Sequence, residues 1–128
     1  MENILEAMKK DIFAKHIGIE IIEAGEGKAV GRLKTSGDHL NGLGIVHGGV
    51  IFSLADTTFA AASNSREGIA VAANVSISYC KAAQQGTLVA RAEEVSLSRK
   101  LATYLVKVFD EEDSLVALFQ GTVYRKVK

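Results

Sequence analysis

Residues 2–13 place Ile4, Leu5, Met8, Ile12 and Phe13 at helical spacing, which predicts a short amphipathic opening helix within a leader of residues 1–15. Two strand-like runs follow, Ile17–Ala24 and Lys28–Thr35, joined by Gly25-Glu26-Gly27, a hairpin signal. A polar loop runs from Ser36 to Gly49. From Gly49 to Ser65 the residues Val50, Ile51, Phe52, Leu54, Ala55, Phe59 and Ala60 to Ala62 leave almost no polar face. A helix that is apolar all round is expected to be buried, and Gly68 is a suitable stop. Four strand-like runs come next: Ile69–Lys81, Thr87–Ser96, Leu101–Asp110 and Ser114–Lys126. In the first of them Val75, Ile77 and Tyr79 alternate with Asn74, Ser76 and Ser78, so one face is apolar and the other polar. Glu111-Glu112-Asp113 forms the turn between the last two.

The element order predicts one α+β domain over residues 1–128. About six antiparallel strands would curl around one long central helix, residues 49–65. Nothing else in the chain is long enough to cover the remaining side of that helix. Such a sheet also keeps an open edge strand, which proteins usually protect. Self-association as a dimer answers both needs. The chain has no proline, so its turns rest on Gly, Asn, Asp and Ser.

Composition narrows the partners. Fifteen Lys and Arg against fifteen Asp and Glu leave no formal net charge, which argues against nucleic acid, since phosphate binding usually leaves a basic excess. Cys80 stands alone, so no intrachain disulfide forms and a reducing compartment is the simpler expectation. The opening Met1-Glu2-Asn3-Ile4-Leu5-Glu6 lacks the basic and then apolar order of a signal peptide. The apolar run around residues 50–62 is too short and too polar to span a bilayer. A cytoplasmic protein without membrane contact is expected.

Candidate chemistry is concentrated between Asn41 and Thr58. A Gly-rich loop carrying His47-Gly48-Gly49 runs into the apolar helix, inside which Asp56 is a lone carboxylate. Leaving Asp56 among Leu54, Ala55 and Phe59 carries a desolvation cost that folding alone does not require. It could equally be a helix acid facing water or bonded to a neighbour. The first N–H groups of a helix have no intrahelical partners and carry partial positive charge. Gly48 is thus a natural oxyanion donor, with no side chain to block an approaching substrate. Plain turn geometry accounts for Gly48 and Gly49 as well. His47 is as readily a loop residue satisfying backbone groups as a catalytic one. His16 and His39 show no partner pattern, and the three histidines lack metal-ligand spacing, so no metal and no cofactor are proposed. Cys80 lacks a nucleophile signature.

Order and motif together resemble the hotdog-fold acyl-CoA thioesterases, in the branch associated with phenylacetic acid degradation. The residues that carry the likeness are Asn41, the His47-Gly48-Gly49 step, Asp56 followed by Thr57, the stretch Leu97 to Tyr104 and the last strand Leu115 to Val123. The likeness spans roughly residues 10–126. Two positions depart from it. Tyr79-Cys80-Lys81-Ala82 stands where relatives often carry an Arg-Pro step, and Ala60 stands where relatives with a Glu base carry Thr. The second favours the Asp-type arrangement.

The resemblance implies hydrolysis of aryl acyl-CoA thioesters such as phenylacetyl or hydroxyphenylacetyl, or of medium-chain ones, to acid and free coenzyme A, the latter being part of the substrate. In it the Gly48 N–H polarises the thioester carbonyl, while Asp56 acts as base on water or as nucleophile through an anhydride. His47 shapes the loop and contacts substrate, and Asn41 holds the water or the carbonyl oxygen. Asn74 orients the water, while Gly49 and Thr57 line the pocket. Arg99 and Lys100, with Arg91 and Lys81 behind them, are candidates for the phosphates of coenzyme A, although isolated basic residues also serve solubility alone.

Spacing adds a constraint. Eight residues separate Gly48 from Asp56, roughly 12 Å along a helix, too far to serve one carbonyl. Two antiparallel central helices from two chains would bring Gly48 of one to Asp56 of the other. Two sites per dimer would follow; pairing of dimers into a tetramer is a separate expectation. Two other functions compete: a hotdog dehydratase or hydratase using His47 with Asp56, and a non-catalytic acyl-CoA sensor. The sensor class carries an added DNA-binding segment and basic excess, which this sequence lacks.

Overall fold

A computed structural model describes residues 3–127. The leader folds as two short helices, α1 (Ile4–Met8) and α2 (Ile12–Ile17), where one was expected; Met1 and Glu2 lie outside the described residues. Asp11 breaks the run. Its carboxylate accepts the Ala14 N–H at 2.9 Å and so caps α2 instead of continuing α1. Gly18, at φ +100°, ends α2, and this pushes the first strand to Glu20–Gly25 (β1), three residues later than its apolar run begins.

The remaining elements are β2 (Lys28–Lys34), α3 (Gly48–Ser63), β3 (Ile69–Tyr79), β4 (Thr87–Leu97), β5 (Leu101–Phe109) and β6 (Leu115–Lys126). Glu26 and Gly27, both at positive φ, make the two-residue β1–β2 hairpin turn. α3 stops at Ser63, ahead of Gly68. Asn64 caps it, donating to the Ala60 and Ala70 carbonyls and accepting the Ala70 N–H, which stitches the helix end to β3.

All strand pairs are antiparallel, in the order β1-β2-β4-β5-β6-β3, and the sheet does not close. β3 does not pair with its sequence neighbours. After α3 the chain crosses to the far edge, where β3 lies beside β6 alone. β3 is thus an 11-residue edge strand without a charged side chain, exposed along most of its length. Edges of this kind are usually blunted or covered.

α3 lies on the sheet face formed by alternate residues such as Leu33, Ala90, Val106 and Phe119, all buried. Phe59 is the keystone: its ring packs edge-on to Tyr104 at 5.9 Å and against Phe119 at 5.4 Å. Gly121 makes room for it, since a Cβ there would sit 2.6 Å from the Phe59 ring. Tyr104, wholly buried, donates its hydroxyl to Glu94 (2.7 Å), and Arg66 grips the same carboxylate at 2.9 Å. The guanidinium holds the Glu94 carboxyl below its ordinary range, and burial raises the Tyr104 hydroxyl. One strip of α3 escapes the sheet. Gly49 is exposed and Ser53, Asp56 and Ala60 are only half-covered, so the helix is not buried all round as its composition suggests.

Gly121→Ala forces a methyl into the Phe59 ring and is expected to cost about 1–3 kcal/mol. Urea unfolding checks this as a lower midpoint at unchanged slope.

Candidate active site

α3 starts where the sequence motif ends. His47 is its N-cap: Nδ1 accepts the Gly49 N–H at 2.8 Å. That bond commits Nδ1 as an acceptor and leaves the ring's proton on Nε2 at an exposed position. The His47 carbonyl takes the Val50 and Ile51 N–H groups. Of the four leading N–H groups of the helix, only that of Gly48 has no acceptor among the described residues. The Tyr79 hydroxyl donates to the Gly48 carbonyl at 3.0 Å, and its ring lies where a Cβ on Gly48 would touch it at 3.3 Å. Tyr79 thus braces the donor from the last residue of β3. Sequence reasoning missed it; the aromatic beside Cys80 in the departing motif was the available signal.

The loop before the helix is tied down by Asn41. Its Oδ1 accepts the Leu43 N–H at 2.9 Å and the Ile45 N–H at 3.3 Å, and the Leu40–Val46 bridge closes the loop. The side-chain oxygen of Asn41 is therefore spent on the backbone, and only its amide hydrogens are left to meet a ligand.

Asp56 sits two turns along, on the uncovered strip, half-buried and without a hydrogen bond or ion pair among the described residues. Burial raises its carboxyl above the ordinary value, and the negative charge of Asp11 raises it further. Asp11 is a second residue that sequence reasoning missed, because only the fold brings the α2 cap to the flank of α3. Thr57, the next residue, is 6 % exposed and turns toward the leader.

Asn74 is not brought to this face. A bulge at Ala73 shifts the register so that Asn74 pairs with Thr122, whose hydroxyl meets that of Thr103 at 2.9 Å on the sheet face away from α3. The expected alternation of β3 holds, but its polar side faces outward. Arg99 and Lys100 lie in the β4–β5 turn, where they share a hollow of about 450 Å³ with Arg125 and Lys126. Arg125 Nη1 anchors the turn by donating to the Ser98 carbonyl at 2.6 Å. The last two cations come from the end of β6 and extend the basic set. Lys81 instead pairs with Asp110 at 3.0 Å, and Arg91 lies in a separate groove of about 660 Å³ that contains neither Gly48 nor Asp56. No helix among the described residues is long and apolar enough to cross a membrane.

Two measurements follow from the environment of Asp56. Its raised carboxyl means that the ionised form costs stability, a penalty present at neutral pH and absent once the group is protonated in both states. Asp56→Asn is expected to raise Tm by a few degrees at pH 7–8. The gain should shrink as pH falls through the raised folded value and vanish below the unfolded one, about 3.9. Calorimetry across pH checks it. Asn caps a helix as well as Asp does, so Asp11→Asn should keep α2 and lower the Asp56 carboxyl toward its ordinary value, read by carbon NMR titration.

A family model described as Thioesterase superfamily matches residues 43–117, which span the loop, α3 and the strands up to the start of β6. Acyl-coenzyme A thioesterase PaaI of Escherichia coli is 36% identical over 125 residues, 97% of this chain and 89% of that one. A solved structure described as the E. coli PaaI protein from the phenylacetic acid degradation operon superposes with a TM-score of 0.93 over 97% of this chain and 91% of that chain. A mutant of phenylacetic acid degradation protein PaaI from Thermus thermophilus is 44% identical, with a TM-score of 0.87 over 91% of this chain and 100% of that one. A 1,4-dihydroxy-2-naphthoyl-CoA hydrolase of Listeria monocytogenes is 29% identical over 115 residues, 88% of this chain and 94% of that one. The open six-stranded antiparallel sheet with one long helix packed on it agrees with these matches: the chain belongs to the thioesterase superfamily, has the hotdog fold and is a thioesterase of the PaaI branch.

Proposed function

We propose that this protein hydrolyses acyl-CoA thioesters, aryl or medium-chain, to free acid and coenzyme A, at sites completed by two chains. The observation that carries the reading is the pair Gly48 and Asp56 on one helix: among the described residues, an N–H with no acceptor, and a carboxylate with no partner and a raised carboxyl. Each is costly or idle in the fold and useful in the reaction. The Gly48 N–H would stabilise the oxyanion as charge builds on the thioester oxygen. Asp56, with a carboxyl raised toward working pH, is better matched to accept a proton from water than an ordinary aspartate. It could also attack directly and pass through an anhydride.

Within one chain the two groups are separated by two helical turns, roughly 12 Å. The uncovered strip of α3 and the uncharged β3 edge favour a second copy packed against both, with α3 helices antiparallel. Gly48 of one copy then meets Asp56 of the other, and each dimer holds two sites. His47 contributes by capping the helix start, and Asn41 by holding the loop and offering its amide hydrogens. Asn74, on the outward face of β3 beside Thr122, is not brought to Gly48 or Asp56 within one chain. The four-cation hollow of Arg99, Lys100, Arg125 and Lys126 suits the phosphates of coenzyme A. Aryl substrates draw support from the PaaI and naphthoyl-CoA relatives. A dehydratase pairing His47 with Asp56 is disfavoured, since the His47 Nδ1 is spent on Gly49. The protein is expected to act in the cytoplasm.

Thiol release from an acyl-CoA panel tests the activity, and Asp56→Asn should lower kcat at least 10³-fold on the order expected for a lost base or nucleophile. The shared site is tested by mixing. Proline is tolerated at the first helical position and lacks the N–H, so Gly48→Pro removes the donor. Gly48→Pro and Asp56→Asn should each be inactive alone. After co-refolding, half of the dimers are mixed and each keeps one intact site of two, so about a quarter of wild-type activity should return. No recovery would refute the shared site.

A further inference from the structure

The Gly48 N–H serves as an oxyanion donor only if it points one way, and two glycines in succession leave the backbone there free to swing. His47 and Tyr79 grip the peptide that follows it: the His47 Nδ1 accepts the Gly49 N–H, and the Tyr79 hydroxyl donates to the Gly48 carbonyl. The peptide that carries the donor itself is held from behind. The His47 N–H donates to the His39 carbonyl at 2.8 Å, and inside that pair the Asn41 N–H donates to the Ile45 carbonyl at 2.8 Å. His39 therefore stands at the base of the loop that ends in the donor.

The chemistry above makes no use of His39, yet both of its ring nitrogens are committed. Nδ1 accepts the Ser36 N–H at 2.9 Å and closes a capping box over the short 3-10 turn Gly37–His39, where Glu or Gln is the common choice. That role leaves the ring proton on Nε2, which donates to the Ile17 carbonyl at 2.7 Å. Ile17 is the last residue of α2, and its carbonyl is among those that a helix end leaves without an intrahelical partner. One residue thus satisfies a helix end 22 positions back with its ring and holds the residue before Gly48 with its carbonyl. A glutamate would serve the local cap equally well; the tie to α2 asks in addition for a proton. α2 is a suitable anchor, since it packs on α3 and its N-cap Asp11 lies near enough to Asp56 for the charge to be felt there. The same short helix reaches the carboxylate with its cap and, through His39, the donor with its last turn.

We infer that the His39 ring positions the oxyanion donor: it ties the site loop to the end of α2 and so fixes the direction of the Gly48 N–H. His39 touches no reacting atom and is a positioning residue. The inference rests on the thioesterase reading and deepens it. The donor acts on charge that builds in the transition state, so a loosened donor lowers kcat and leaves KM unchanged.

Three variants separate the tie from the fold of the loop. His39→Gln offers an oxygen to Ser36 and an amide proton to Ile17. His39→Glu keeps the oxygen and has no proton to give at neutral pH, and His39→Leu has neither. Thiol release should show kcat lowered about tenfold or more in His39→Glu and His39→Leu with KM within about twofold, a part of the roughly 10²–10³-fold that a whole donor is worth. His39→Gln should stay within about threefold of wild type, since it restores both bonds. A second readout needs no turnover: in nitrogen relaxation measurements the Gly48 amide should gain motion in His39→Glu and not in His39→Gln. The Glu and Gln pair carries the test should the Leu variant not fold. Full kcat in His39→Glu, an equal loss in His39→Gln, a rise in KM alone, or a Gly48 amide equally rigid in both overturns the positioning role while the thioesterase stands. A wild type that cleaves no thioester overturns both.

Discussion

The rotation of α3 about its own axis decides where every candidate group points, and Phe59 sets that rotation. Its ring is enclosed by Tyr104 and Phe119 and seated over Gly121, a place only a glycine leaves open. A helix turns 100° per residue, so pinning Phe59 into the sheet pins the opposite side as well. Ser53, Asp56 and Ala60 are thereby turned away from the sheet, while Thr57 is turned under the leader. Thr58 shares in the seat: its hydroxyl bonds the Leu54 carbonyl, and it faces Gly31, where a Cβ would collide with it. Packing energy spent on one face of the helix is what keeps a half-buried carboxylate in place on the other.

That carboxylate is costly. Burial and Asp11 both favour its neutral form, and no partner among the described residues offsets them. The Gly48 N–H is the complementary defect, a donor at a helix start that His47 and the loop leave alone while they satisfy its neighbours. Proteins rarely keep two such groups on one element without use, and the uncharged β3 edge adds a third unfinished surface. A second copy packed against α3 and β3 would finish all three. The chemistry and the assembly would then be one design: Gly48 and Asp56 are too far apart along the helix to meet one carbonyl, and two antiparallel helices would remove that obstacle.

Much of the fold was legible from periodicity. The long apolar helix, the Gly25-Glu26-Gly27 hairpin and the four late strands lie within a few residues of where their patterns predict them, because each is a local matter of spacing and turn chemistry. The leader was misjudged as one helix because Asp11 reads as a polar-face residue in a helical pattern and acts as a cap in the fold. The place of β3 was not legible either. Its alternation marks a strand with one apolar face, but pairing with β6, and not with β2 or β4, depends on a crossover that local pattern does not encode. The bulge at Ala73 then turned Asn74 to the far face, a one-residue slip that reverses sides in any strand.

The candidate site divides along the same line. Asp56, His47, Gly48 and Asn41 could be named from the sequence, since a lone acid in an apolar run and a glycine step before a helix are local signals. Their state could not. That the His47 Nδ1 is spent as a cap, that the Asn41 oxygen is spent on its own loop, and that the Gly48 N–H is left free are facts of hydrogen-bond geometry. Tyr79 behind Gly48, Asp11 beside Asp56, and Arg125 with Lys126 beside Arg99 are contacts between residues far apart in the chain. Sequence by itself determined which residue types could do chemistry and on which element they sit, because spacing and propensity are local. Tertiary structure alone decided which of them meet, which are already committed and which stay free, because burial and hydrogen bonding are settled only when distant segments pack.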